Sequence, residues 1–119
     1  MYNAGPSRTF PCSEDIIGGQ LVMLDSTETD IATVAVYNGE NYPIGIAAAD
    51  SFADNVAVIP WGNRTYEFYI GYGGCSLGDA LTWDVDLGAW VVAGSGEDVL
   101  AIALRDSGAG GKVECIRVG

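Results

Sequence analysis

The chain has 119 residues, enough for one domain with a core of its own and no need of disulfide or metal staples. Sixteen acidic residues against five basic ones, with no histidine, leave a formal net charge of −11. That excludes a nucleic-acid partner and disfavours a membrane surface, both of which need clustered Lys and Arg. Apolar residues make up 49 % and charged ones only 18 %. Part of the surface is therefore either uncharged polar groups and glycine or buried against another chain.

Seventeen glycines, four prolines, three Trp, six Tyr and three Phe point to a turn-rich, all-β fold: a small single-domain β-barrel or sandwich. The N-terminal MYNAGPSRTFPCSEDI lacks the cationic start and apolar run of a secretion signal. Cys12, Cys75 and Cys115 are odd in number and widely spaced, which predicts free thiols in a reducing compartment. The sequon at Asn63-Arg64-Thr65 is then a chance match.

In chain order, residues 1–15 read as an extended N-terminal arm, because Gly5, Pro6 and Pro11 block helix and regular strand. Its backbone needs partners on its own domain or on a neighbour. Tyr2, Arg8 and Phe10 are its candidate anchors on a partner, since aromatics and Arg dominate interface energies and Arg forks onto carboxylates. Alternatively the arm caps one end of its own barrel.

Residues 16–119 read as short strands. Leu21 to Leu24 comes first, then Ile31 to Tyr37 ending in Asn38-Gly39, a hairpin signal. Pro43 to Ala49 and Val56 to Ile59 follow; a helical turn within Ile44 to Asn55 is the alternative, opposed by Gly45. Thr65 to Tyr72 alternates, with Tyr66, Phe68, Ile70 and Tyr72 on one face. Leu81, Trp83 and Val85 alternate likewise, Asp86-Leu87-Gly88 turns into Ala89 to Val92, and Val99 to Leu104 and Lys112 to Val118 close the chain.

The segment 43–62 aligns with 99–119 through one single-residue shift. Ile46 falls on Ile102, Asp50-Ser51 on Asp106-Ser107, and Val56, Ile59 and Gly62 on Val113, Ile116 and Gly119. This predicts an internal duplication with repeats 18–62 and 77–119, joined by the aromatic strand. The competing reading is that every small β domain repeats an apolar strand, a Gly/Asp turn and another apolar strand.

No residue reads as catalytic, metal-binding or cofactor-binding. Without histidine there is no Ser-His or Cys-His pair and no imidazole ligand. Gly71-Tyr72-Gly73-Gly74 completes no phosphate-cradling motif. Asp84 and Asp86 form the best carboxylate pair for glycoside hydrolysis, but turn formation explains them. Asp25, Glu28 and Asp30 lack EF-hand spacing for Ca²⁺ and read as a solvated loop. Trp61, Trp83, Trp90, Tyr66 and Tyr72 could stack on sugars, as in a carbohydrate-binding module, or could fill a core or a subunit seam.

The order IIGGQLVMLD, YPIGIAAAD…VAVIPWG, LGDALTWDVDLGAWV and LAIALRDSGAGGKVECIRVG resembles the small head decoration, or capsid cement, proteins of tailed bacteriophages, over about residues 16–119. Those proteins read G-(Q/D)-x-V, a G-V/I-A strand, a G-D-x-L-x-x-D-x-x-G hairpin and a closing A-G-x-x-V-x-V strand. The resemblance implies a non-enzymatic virion protein, made in the host cytoplasm, without cofactor or fixed site. It further implies binding to the major capsid protein on the outer capsid surface, commonly as a homotrimer. Pro60 with Trp61, the aromatic strand 65–72 and the cysteines at 75 and 115 depart from the family pattern, which leaves subunit contacts open.

Overall fold

The computed structural model describes residues 7–25, 31–52, 54–62, 64–71 and 73–118. Every regular element among them is a strand, as the composition predicts. By their contacts they fall into two compact units, Met1–Gly62 and Asn63–Gly119.

The first unit holds β1 (Arg8–Pro11), β2 (Asp15–Ile16), β3 (Leu21–Leu24), β4 (Val34–Val36), β5 (Pro43–Ala47), β6 (Ser51–Phe52) and β7 (Asn55–Pro60). Its main sheet runs β1-β7-β5-β3-β4 with antiparallel neighbours throughout, and β2 pairs with β6. Five alternating strands leave β1 and β4 pointing the same way, so only a parallel pair can join the two edges. Cys12, just past β1, makes that parallel bridge to Val34, and the Ser13 amide donates to the Val34 carbonyl at 3.0 Å. The sheet thus closes as a small barrel. Cys12, Ile16, Val22, Val34, Ala47, Val56 and Val58 fill it, with Phe10, Val36 and Ile44 packed alongside.

The second unit holds β8 (Thr65–Tyr69), β9 (Ala80–Asp84), β10 (Ala89–Val92), β11 (Ala101–Ala103) and β12 (Lys112–Arg117). Its sheet runs β8-β12-β11-β9-β10, the order of the first sheet strand for strand, and Ile70 closes it by a parallel bridge to Trp90. The core is aromatic. Phe68 stacks on Trp90 at 3.9 Å between centroids, Trp83 meets Trp90 edge-on at 5.3 Å, and Tyr66 stacks on Phe68 at 5.7 Å.

Register repeats as well. Gly45, Ile46 and Ala47 face Pro60, Ile59 and Val58 in the first barrel; Ala101, Ile102 and Ala103 face Arg117, Ile116 and Cys115 in the second. These are the pairs the sequence alignment puts together, single-residue shift included. The structural repeat is longer than 18–62 and 77–119, however. It starts at β1 and at β8, so the aromatic strand is the opening strand of the second barrel rather than a connector.

One turn shows why the Asp-Ser pairs recur. The amides of Gly18 and Leu77 donate to Oδ1 of Asp50 and Asp106, at 2.8 and 2.7 Å. The next amides, of Gly19 and Gly78, donate to the carbonyls of Ala47 and Ala103, both at 2.8 Å. Gly19 and Gly78 hold φ of 94° and 88°, a region costly for any residue with a Cβ. Each aspartate therefore ties the turn before the second barrel strand to the loop after the fourth. Asp50→Ala and Asp106→Ala are each expected to cost about 1 kcal/mol, read as a lower denaturant midpoint at unchanged slope. Unequal losses would show that the two ties are not equivalent.

Three expectations are corrected. Part of the expected arm is regular strand: Arg8, Thr9, Phe10 and Pro11 pair with Val58, Ala57, Val56 and Asn55. Pro11 is tolerated because it ends β1 and its missing N–H breaks no ladder: the following amides, of Cys12 and Ser13, are the ones that donate, to the Asp54 and Val34 carbonyls. Asn38-Gly39 closes no hairpin, since β4 and β5 flank β3 on opposite sides; the turn carries the chain across β3, with the Glu40 amide donating to Asn38 Oδ1 at 3.0 Å. No helical turn forms within residues 44–52 or 54–55, which belong to β5, β6, β7 and their connections.

Candidate functional site

Alternation along β1 puts Arg8 and Phe10 on one face of the strand, and the Arg8 guanidinium lies over the Phe10 ring at 4.9 Å from its centroid. Together with Leu24, Ala32, Ile44, Val58 and Pro60 they line an open cavity of about 290 Å³ at one end of the first barrel. Val58 forms its buried floor, whereas Leu24 is 40 % exposed at its mouth. Tyr2, the third residue expected as an anchor, lies outside the described residues.

The lining is apolar except for Arg8, the only basic residue in a unit that carries eight of the sixteen acidic ones. Arg8 is exposed and makes no ion pair among the described residues. A guanidinium held by ring stacking, with its N–H fork free, is positioned to receive a carboxylate.

The second barrel shows what this end looks like when filled. By register, Arg8, Phe10, Leu24, Val34 and Val58 correspond to Tyr66, Phe68, Trp83, Trp90 and Cys115. Tyr66 is 4 % and Trp83 9 % exposed; their rings close the end that Arg8 and Leu24 leave open.

The other candidates resolve differently. Tyr66, Trp83 and Trp90 are buried and Trp61 is half-buried, so four of the five rings considered for sugar stacking present no exposed platform; Tyr72 lies outside the described residues. Oδ1 of Asp84 accepts from the amides of Asp86 and Leu87, at 2.9 and 3.1 Å, and so shapes the turn into β10. Asp25 lies near Glu14 and Glu40 in a wide polar depression, while Glu28 and Asp30 lie outside the described residues; among the described residues no group of acids or cysteines is placed to hold a metal ion. Sequence reasoning missed Tyr42 and Phe52, which are 90 % and 80 % exposed. Phe52 alternates with buried Ser51 on β6, a strand too short to carry a readable period.

All three cysteines are free and buried. Cys12 Sγ donates to the Asp54 carbonyl at 2.9 Å. Burial, reinforced by the neighbouring Cys75 sulfur, pushes the Cys115 thiol up from 9.0 to about 12. The unfolded chain therefore ionises this thiol at a lower pH than the folded one, and the stability so gained, whole below pH 9, is lost as pH rises toward 12. A thiol reagent at pH 8 is expected to leave Cys115 unmodified in the native protein and to label it on denaturation. Rapid native labelling would contradict its place in the second core.

Among solved structures, the fold is found in a bacteriophage head protein. The chain superposes on the structure described as the head fiber gp8.5 N base in bacteriophage phi29 with a TM-score of 0.73, at 19 % sequence identity, over 94 % of this chain and 92 % of that one. No protein-family model and no curated protein matches the sequence.

Proposed function

We propose that this chain is a structural protein of a phage virion, a decoration protein that binds the outer capsid surface through the major capsid protein and stabilises the shell. The observation that carries the reading is the likeness to a phage head fiber base across nearly the full length of both chains. The motif resemblance to head decoration proteins supports it independently of the structure. Each barrel is closed in itself, and the exposed rings of Tyr42 and Phe52 are of the kind that anchors protein interfaces. A homotrimer is the expected assembly, each subunit burying on the order of 800 Å² or more against its neighbours.

The test is sedimentation of the purified chain with empty shells of the phage that carries it. Saturable co-sedimentation, with a higher temperature of shell disruption, is the expected result. A chain that stays in the supernatant at every concentration overturns the proposal.

A further inference from the structure

Resting on that reading, we infer that the open end of the first barrel is a docking pocket for an aromatic side chain with a carboxylate close by, presented by the shell protein. The second barrel indicates the shape of the guest, because the equivalent end is filled by the rings of Trp83 and Tyr66 where the first barrel has Leu24 and Arg8. A cavity of about 290 Å³ has room for one such ring on the Val58 floor, against Phe10 and Ile44. Charge indicates the rest. Arg8 is the single cation of its unit and has no ion-pair partner among the described residues, and its guanidinium is already fixed over Phe10 at 4.9 Å. A planar guanidinium stacked on a ring can still pair through its N–H fork with a carboxylate.

The inference is tested on the full chain with N-acetyl-tryptophan, which joins an indole to a carboxylate, and with its amide, which lacks the charge. Amide NMR shifts at Phe10, Leu24, Ile44 and Val58 are expected to saturate with the acid in the millimolar range and to need about tenfold more of the amide. Arg8→Gln should abolish the preference for the acid. Leu24→Trp, which copies the second barrel, should abolish binding of both. Arg8 is exposed, so Arg8→Gln keeps the test valid if the tryptophan variant fails to fold.

With shells, both variants should bind at least about tenfold more weakly than the parent at an unchanged melting temperature. If the variants bind shells as the parent does, or the acid shifts no resonance of the pocket, the pocket inference fails while capsid binding stands. If the parent itself does not bind shells, the functional proposal fails, and the shell protein is withdrawn as the guest. Tighter binding of the acid after removal of residues 1–6 would make the chain's own N-terminus the occupant. Loss of self-association in Arg8→Gln would make it a second copy. Either result overturns the inference.

Discussion

Removal of residues 1–12 is expected to unfold the first barrel. The deletion takes away all of β1, and with it the four-residue ladder to β7. It also removes the Cys12 bridge that joins the sheet to β4 and the buried contribution of Cys12 and Phe10 to the core. A few ladder hydrogen bonds at about 1 kcal/mol each, with about 2 kcal/mol for each apolar side chain lost, approach the whole stability of a small domain, about 5–15 kcal/mol. A detached arm would have left the melting temperature alone. Residues 8–12 are instead barrel wall, and one of them closes the sheet. Hydrogen exchange at Val56 to Val58 is the direct measurement, and protection there equal to the parent's would overturn the assignment.

The second large effect is expected at Trp90. Trp90→Ala removes a fully buried indole that stacks on Phe68 and meets Trp83 edge-on, and should cost about 3–5 kcal/mol. For a chain of this length that is a fall in melting temperature of roughly 10–20 °C. The matching substitution in the first barrel, Val34→Ala, removes only two methyl groups from an equally buried site and should cost about 1–2.5 kcal/mol. Thermal unfolding followed by circular dichroism compares the two directly. Equal losses would mean that the aromatic cluster is not what holds the second barrel together.

These two effects differ because one architecture is packed in two ways. Ile46 on Ile102 and Ile59 on Ile116 could be aligned by eye, since backbone register preserves spacing even where side chains diverge. The opening strands could not. RTFP and TYEFY share little beyond one phenylalanine, and the equivalence of Arg8 with Tyr66 emerges only through their partners Val58 and Cys115.

What the amino-acid sequence determined by itself was local or periodic. Alternation placed Tyr66, Phe68 and Ile70 on one face, which the second barrel buries, and Asp86-Leu87-Gly88 marked a turn between strands. The want of histidine ruled out Ser-His and Cys-His pairs from the sequence alone. The tertiary structure alone decided which strands are neighbours. Asn38-Gly39 has the composition of a hairpin turn, yet its strands sit on either side of β3, because pairing is chosen by the closure of the whole barrel and not by the turn. For the same reason the candidate pocket was invisible: it is defined by Arg8, Leu24, Ile44 and Pro60, far apart in the chain and brought together only when β1, β3, β5 and β7 assemble.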